Sequence, residues 1–409
     1  MSELTESLDL RTGKLFWSAF DRPAVPTIPL DRDKRVEVAI LGAGVSGAFV
    51  AWHLAKRGVE VVLIDRRPPG MGSTVACTAL VQYDLDNRLI DLSRDVGQER
   101  AEQAYRVCRE SLDWIEQVTS ELDDDCGLVR RPGLYCAGDD DDVASMVEEH
   151  EARRSIGIET HWISAGELQE RHRVHRPGAI LSEASLELDP LRLTAALLRG
   201  AIARGAVVHH PTEVADIKLG VDTIALPTTE GPTITARYLV VATGYETPAP
   251  LRQFQGKLLS TWAGVTRPIV DLETHWPDRT FIWEHADPYL YARTAGDRVI
   301  FGGEDEPFVD ETRRDALISR KIDTLVRKMQ QLKPTLTFEP EFRWAGTFAG
   351  TDDAMPYIGP HPEHPHVLMA LGYGGNGVTF SSIAGRCLPG LITDDHSLAR
   401  PAKLFSIAR

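Results

Sequence analysis

The chain has no excess of positive charge, no cysteine framework and no long apolar run. Its 45 Lys and Arg stand against 60 Asp and Glu, a net charge of -15. Such a surface disfavours nucleic acid and anionic membranes, and neither is expected as a partner. Five cysteines, Cys77, Cys108, Cys126, Cys136 and Cys387, are an odd number with no C-x-x-C pair. Neither a disulfide framework nor a zinc site is indicated, and no metal is expected. His209 and His210 end an apolar strand, while His361, His364 and His366 sit in the turn HPEHPH; the two groups read as surface-loop or strand-end histidines rather than ligands. The longest apolar stretches are strand-sized, and the N-terminus lacks a basic start followed by an apolar run, so a cytoplasmic location is expected. With 409 residues, two domains are the default, because single cores stop growing near ~250–300 residues.

What is present is concentrated in residues 36–65, VEVAILGAGVSGAFVAWHLAKRGVEVVLID. A hydrophobic strand runs into a glycine-rich turn, a helix, and a second strand ending in an acid, the order of a dinucleotide-binding βαβ unit. Gly42 permits the tight turn, Gly44 lets backbone approach a pyrophosphate, and Gly47 lets helix and strand lie close. The helix N-terminus then offers free N–H groups and a positive dipole end. Asp65 completes the unit as an acceptor for ribose hydroxyls.

Beyond this unit the chain alternates between two kinds of pattern. Residues 1–35 carry prolines and no sustained period, and read as an arm packed on the surface with Trp17 and Phe20 as anchors. Ala104, Val107, Cys108, Leu112, Ile115 and Val118 recur at helical steps and predict a helix over about 91–121. The run Asp139–Asp142 opens another helix as a solvated, dipole-favoured start and is assigned no chemistry. Asp189-Pro190 starts a helix that Gly205 stops, and the strand AVVHHPTEV follows, as a further layer of the dinucleotide domain requires. A third return is ARYLVVATGYET, a buried parallel strand ending in Ala242, Thr243 and Gly244, whose small size lets a cofactor pass close. From about 248 to 340, TFIWEH, PYLYART and RVIFGGEDE alternate as an antiparallel, substrate-facing sheet should. The turn GYGGNG at 372–377 runs into a helix near Val378 and repeats the offer of free N–H groups.

Taken in order, GAGVSG with Asp65, GSTVACTAL at 72–80, LVVATG at 239–244, PYLYART followed by GGEDE at 288–306, WAGTFAGTDDAMPYIG at 344–359 and GYGGNGVTFSSIAG at 372–385 resemble one family. It is that of the flavoproteins of D-amino-acid oxidase, glycine oxidase and sarcosine oxidase type, and the resemblance runs from about 36 to 395. The resemblance implies an α/β fold with an α+β second domain. A Rossmann-like FAD-binding domain (36–90, 188–247 and 340–400) is interleaved with an antiparallel-sheet substrate domain (91–187 and 248–339). It implies extended, non-covalent FAD with Gly42, Ala43, Gly44, Val45, Ser46 and Gly47 at the pyrophosphate and Asp65 and Arg66 at the adenosine. Gly72, Ser73 and Thr74 follow along the linker, Val214 is an adenine-side backbone contact, and Ala242, Thr243 and Gly244 flank the cofactor. Gly375, Asn376, Gly377, Val378 and Thr379 fall by the flavin pyrimidine edge. Cys77, beside the linker, is the position for covalent attachment, although a small buried thiol fits such a loop unreacted.

The chemistry so implied is oxidation of a C–N bond of an amine or amino acid. A hydride passes from the carbon beside a neutral amine to flavin N5, with orientation rather than a protein base as the main contribution. Two other readings stay open: oxidation of a 2-hydroxy acid or polyol on the same fold, and a non-catalytic flavin-binding subunit. Oxidase against dehydrogenase and the oligomeric state also stay open. The substrate is a small molecule. In relatives of glycine oxidase type the segment matching Trp344–Thr351 carries an arginine that grips the substrate carboxylate; here Phe348 stands in its place. That favours an amine, or an acid held by another arginine. Arg293 is the replacement, unless it pairs with Asp297 or Glu304. Tyr289 and Tyr291 either line the pocket beside Phe348 or belong to the core.

Overall fold

The computed structural model describes residues 4, 8–22, 24–254 and 256–407; arm residues 1–3, 5–7 and 23 lie outside them. Two sheets organise these residues. In the smaller, the strands Val367–Leu371, Thr233–Val241, Lys34–Leu41, Val61–Ile64 and Val207–His209 lie side by side in parallel. Their continuous apolar runs suit burial on both faces, which parallel sheets require; Val38, Ile40, Leu63, Leu239 and Val241 are fully buried. The helices Val45–Lys56, Pro190–Ile202 and Gly377–Ile392 cover one face. The Asp189 side chain caps the second of these by accepting from the N–H groups of Leu191 and Arg192.

The larger sheet runs in the order Arg11–Lys14, Pro340–Gly350, Lys257–Thr266, Arg298–Glu306, Leu290–Ala295, Phe281–His285, Val129–Ala137, Gly178–Glu187 and Val81–Gln82. It departs from the sequence expectation at several points. It is not wholly antiparallel, because Phe281–His285 pairs in parallel with Val129–Ala137. The arm supplies an edge strand, with Arg11 opposite Gly346 and Lys14 opposite Arg343. Trp17 is buried and donates from Nε1 to the Cys77 carbonyl (2.6 Å), whereas Phe20 is 49% exposed and anchors little. The strand Pro340–Gly350 is part of this sheet rather than of the parallel one. The helix expected over 91–121 is two, Leu89–Val96 and Gln98–Thr119, divided at Gly97 with φ +89°.

Candidate active site

A cavity of about 770 Å³ is lined from both sheets. At one end stands the glycine turn. Gly42 has φ +112°, and a Cβ there would stand 2.3 Å from the Ala242 carbonyl oxygen; a Cβ on Gly47 would stand 2.0 Å from that of Gly42. Neither position tolerates a side chain, so the turn and the end of the Thr233–Val241 strand close on each other. Of the residues assigned to the cofactor, Gly42, Gly44, Val45 and Ser46, Asp65 and Arg66, and Gly72, Ser73 and Thr74 all face the cavity. So do Val214, Ala242, Thr243 and Gly244, and Gly375, Asn376, Gly377, Val378 and Thr379. Ala43 and Gly47 stand behind the turn. The Ala43 N–H is already donated to Asp65 Oδ2 (2.8 Å), and Gly47 packs on Gly42.

Asp65 also accepts from the Arg67 N–H (2.8 Å). Burial raises its pKa, with the two N–H groups and the Arg67 charge opposing. Arg66 pairs with Glu213 (3.0 Å) and Glu246 (2.8 Å), and Arg67 pairs with Glu246, so this end balances its charges. The wall fits an extended dinucleotide in two further respects. Ser73 Oγ and Thr243 Oγ1 are buried on the cavity wall without hydrogen-bond partners, unmade bonds of the kind a ligand's oxygens complete. No atom lies within 4 Å of where a Gly72 Cβ would be, and only Thr74 Oγ1, at 3.3 Å, near that of Gly44, which leaves backbone open to a pyrophosphate.

The other end is built on the larger sheet. Leu259 and Thr261 of one strand lie opposite Phe348 and Gly346 of the next, and all four line the cavity. Tyr289 and Tyr291 also face it, their ring centroids 5.9 Å apart. Gly302 makes room for the second, since a Cβ there would stand 2.3 Å from the Tyr291 hydroxyl. Tyr289 donates to Asp305 Oδ2 (2.7 Å), and the Gly375 N–H donates to Asp86 (3.2 Å). Asp86 opens to the cavity while lying deep in the protein, and burial raises its pKa. Asp305 and Asp86 received no role from the sequence. The available signal for Asp305 was Gly302-Gly303 just before it, because glycine inside a strand marks a bulge that re-aims the next side chain.

Arg293 is a correction. It does not reach the cavity and pairs with neither Asp297 nor Glu304. It is 1% exposed, and its guanidinium donates to the carbonyls of Thr78 (2.9 Å), Leu188 (3.0 Å) and Thr294 (3.2 Å) under the rings of Trp17 and Phe281. Burial lowers its pKa to about 10. Glu304 pairs instead with Lys321 and Lys328. Arg293 therefore fixes the linker loop against the sheet. Arg293→Met is expected to cost about 2–4 kcal/mol in urea unfolding, because buried carbonyls lose their donors; a variant as stable as the parent would refute that role.

A cavity that joins a βαβ dinucleotide turn to an aromatic sheet wall defines a flavin-dependent oxidoreductase. The DAO family profile, described as FAD dependent oxidoreductase, matches residues 37–389, and the chain belongs to that family. It is 26% identical to glycine oxidase of Geobacillus kaustophilus over 88% of this chain and 93% of that one. It is 23% identical to gamma-glutamylputrescine oxidoreductase of Escherichia coli, covering 93% and 89%. Among solved structures, L-proline dehydrogenase from P. horikoshii shares the fold with a TM-score of 0.77 at 22% identity, covering 91% of this chain and 97% of that one. Among the described residues, no helix is long and apolar enough to cross a membrane.

Proposed function

We propose that the protein oxidises a C–N bond of a small amine or amino acid. The glycine turns and the strands beside them hold FAD, and the wall of Tyr289, Tyr291, Thr261 and Phe348 holds the substrate. The observation that carries this reading is that both sets of residues line one continuous cavity. The names of the two curated relatives point to the same class. FAD held there would supply the electron acceptor, taking up the hydride from the carbon beside a neutral amine; with the nitrogen's proton released, the resulting imine would be hydrolysed by water.

The chain's own part is placement. Tyr289 is fixed by its bond to Asp305 and Tyr291 by its seat over Gly302, so the aromatic wall stands preorganised, and orientation of this kind supplies much of such a barrier reduction. Cys77 lines the cavity, but burial raises its thiol pKa and its sulfur accepts from the Ala79 N–H (3.3 Å). A thiol kept protonated is a poor nucleophile, which supports non-covalent FAD. The test is anaerobic titration of the purified holoprotein with amines, amino acids and 2-hydroxy acids. Loss of the oxidised flavin's visible absorbance with a C–N substrate is the expected result. Bleaching by hydroxy acids alone, or by nothing in the panel, would overturn the reading.

A further inference from the structure

The strand Arg298–Glu306 contains a bulge that decides what the substrate meets. Ser260 pairs with Glu306 and Trp262 with Gly303, which leaves Glu304 and Asp305 both opposite Thr261. Gly303 at φ +129° and Glu304 at φ +61° make the irregularity. Side chains alternate along a strand, and Gly302 lies beneath Tyr291 on the cavity side. A regular strand would therefore point Glu304 into the cavity and Asp305 away from it. The bulge exchanges them. Glu304 turns to Lys321 and Lys328, and Asp305 turns inward to Tyr289.

Among the described residues, no lysine or arginine of the cavity wall faces Asp305; Lys321 reaches it only through its charge and is paired with Glu304 and Glu306. The lining arginines, Arg66 and Arg67, lie at the adenosine end and are matched by Glu213 and Glu246. Of the other lining carboxylates, Glu284 and Asp84 have partners outside the cavity in Arg176 and Arg153. Asp86 adds a second negative group on the same side and no positive one. An anionic substrate would be repelled here, and a cation would gain both the carboxylate and the faces of two tyrosines.

We propose that the substrate carries a positive charge separate from the C–N bond that is oxidised, held by Asp305 and Tyr289 against the apolar wall of Phe348 and Leu259. The substrate class is then a diamine or a similar amine cation. This inference rests on the C–N reading above and narrows it. Tyr289 bonds one carboxylate oxygen of Asp305, and the second, itself buried, faces Thr261, which lines the same cavity. Burial raises the Asp305 pKa to about 6, with the hydrogen bonds of Thr261 and Tyr289 and the charge of Lys321 opposing and Asp86 adding. Protonation as pH falls through that value removes the anchor, so KM for the cation should rise there.

The test compares 1,4-diaminobutane, n-butylamine and 4-aminobutanoate as reductants of the holoenzyme. These share one reacting amine and differ in the remote group. The diamine is expected to exceed the monoamine in kcat/KM by about 30-fold or more, the worth of a buried charged hydrogen bond. Asp305→Asn should collapse that ratio toward unity, and Phe348→Arg should shift preference to 4-aminobutanoate. Bound FAD per chain shows that each variant is folded; should Asp305→Asn lose FAD, the parent's ratio decides alone. A parent that prefers 4-aminobutanoate, or an Asp305→Asn enzyme that keeps its diamine preference, overturns the inference. If amines bleach the flavin without that preference, this inference alone fails. If only hydroxy acids bleach it, the C–N reading falls as well.

Discussion

Gly42→Ala is expected to lower FAD affinity by about 100-fold, roughly 3 kcal/mol, while the far-ultraviolet circular dichroism stays that of a folded chain. Two independent strains meet at this position. A φ of +112° lies where L side chains are rarely found, and holding one there costs about 1–3 kcal/mol. The new Cβ would also stand 2.3 Å from the Ala242 carbonyl oxygen and 2.9 Å from its carbon, both backbone atoms with no rotamer to give. Relief requires the turn or the strand end to move, and both are cavity wall. Measuring the FAD dissociation constant of deflavinated protein by flavin fluorescence checks the expectation. An unchanged constant would mean that this turn does not face the cofactor.

That turn was legible in the sequence because its constraint is local. A strand, three glycines, a helix and a terminal acid fix one another within thirty residues, and the parallel strands announce themselves as unbroken apolar runs. Arg293 shows where such reading ends. Its alternation with Tyr289 and Tyr291 placed it on the right face of the strand, but not at the right depth. Two of the three carbonyls that hold it belong to Thr78 and Leu188, far away in sequence. The arm strand Arg11–Lys14 was missed for a related reason. It carries no apolar period of its own and becomes a strand only because Arg343–Gly346 presents a free edge. Asp305 was concealed by the bulge, which changes the face of every side chain after it while leaving composition unaltered.

Arg153→Met is the second substitution with a large expected effect, a loss of about 3–5 kcal/mol at neutral pH. Arg153 is 1% exposed. It donates from Nε to Glu149 (2.7 Å) and from Nη1 to the Tyr83 hydroxyl (3.2 Å), contacts Asp84, and lies within 5.5 Å of the ring centroids of Tyr83, Tyr105 and Tyr135. Methionine fills much of that volume but leaves two buried carboxylates without their cation. Glu149 keeps the N–H groups of Leu89 and Ile90 at the start of a helix, whereas Asp84 has less to fall back on. Burial already raises the Asp84 pKa above 3.8, with Arg153 pulling against it, and removing the arginine raises it further. A carboxyl whose folded pKa lies above its unfolded value loses stability as pH rises through the interval between them. The deficit of Arg153→Met should accordingly be largest near neutrality and shrink as pH falls toward 3.8. Urea unfolding of parent and variant at mildly acidic and neutral pH measures it, and an equal deficit at both would show that Asp84 is not the group left uncompensated. Because Asp84 lines the cavity two residues before Asp86, the same variant should also weaken substrate binding, coupling the stability of this buried cluster to the negative wall of the site.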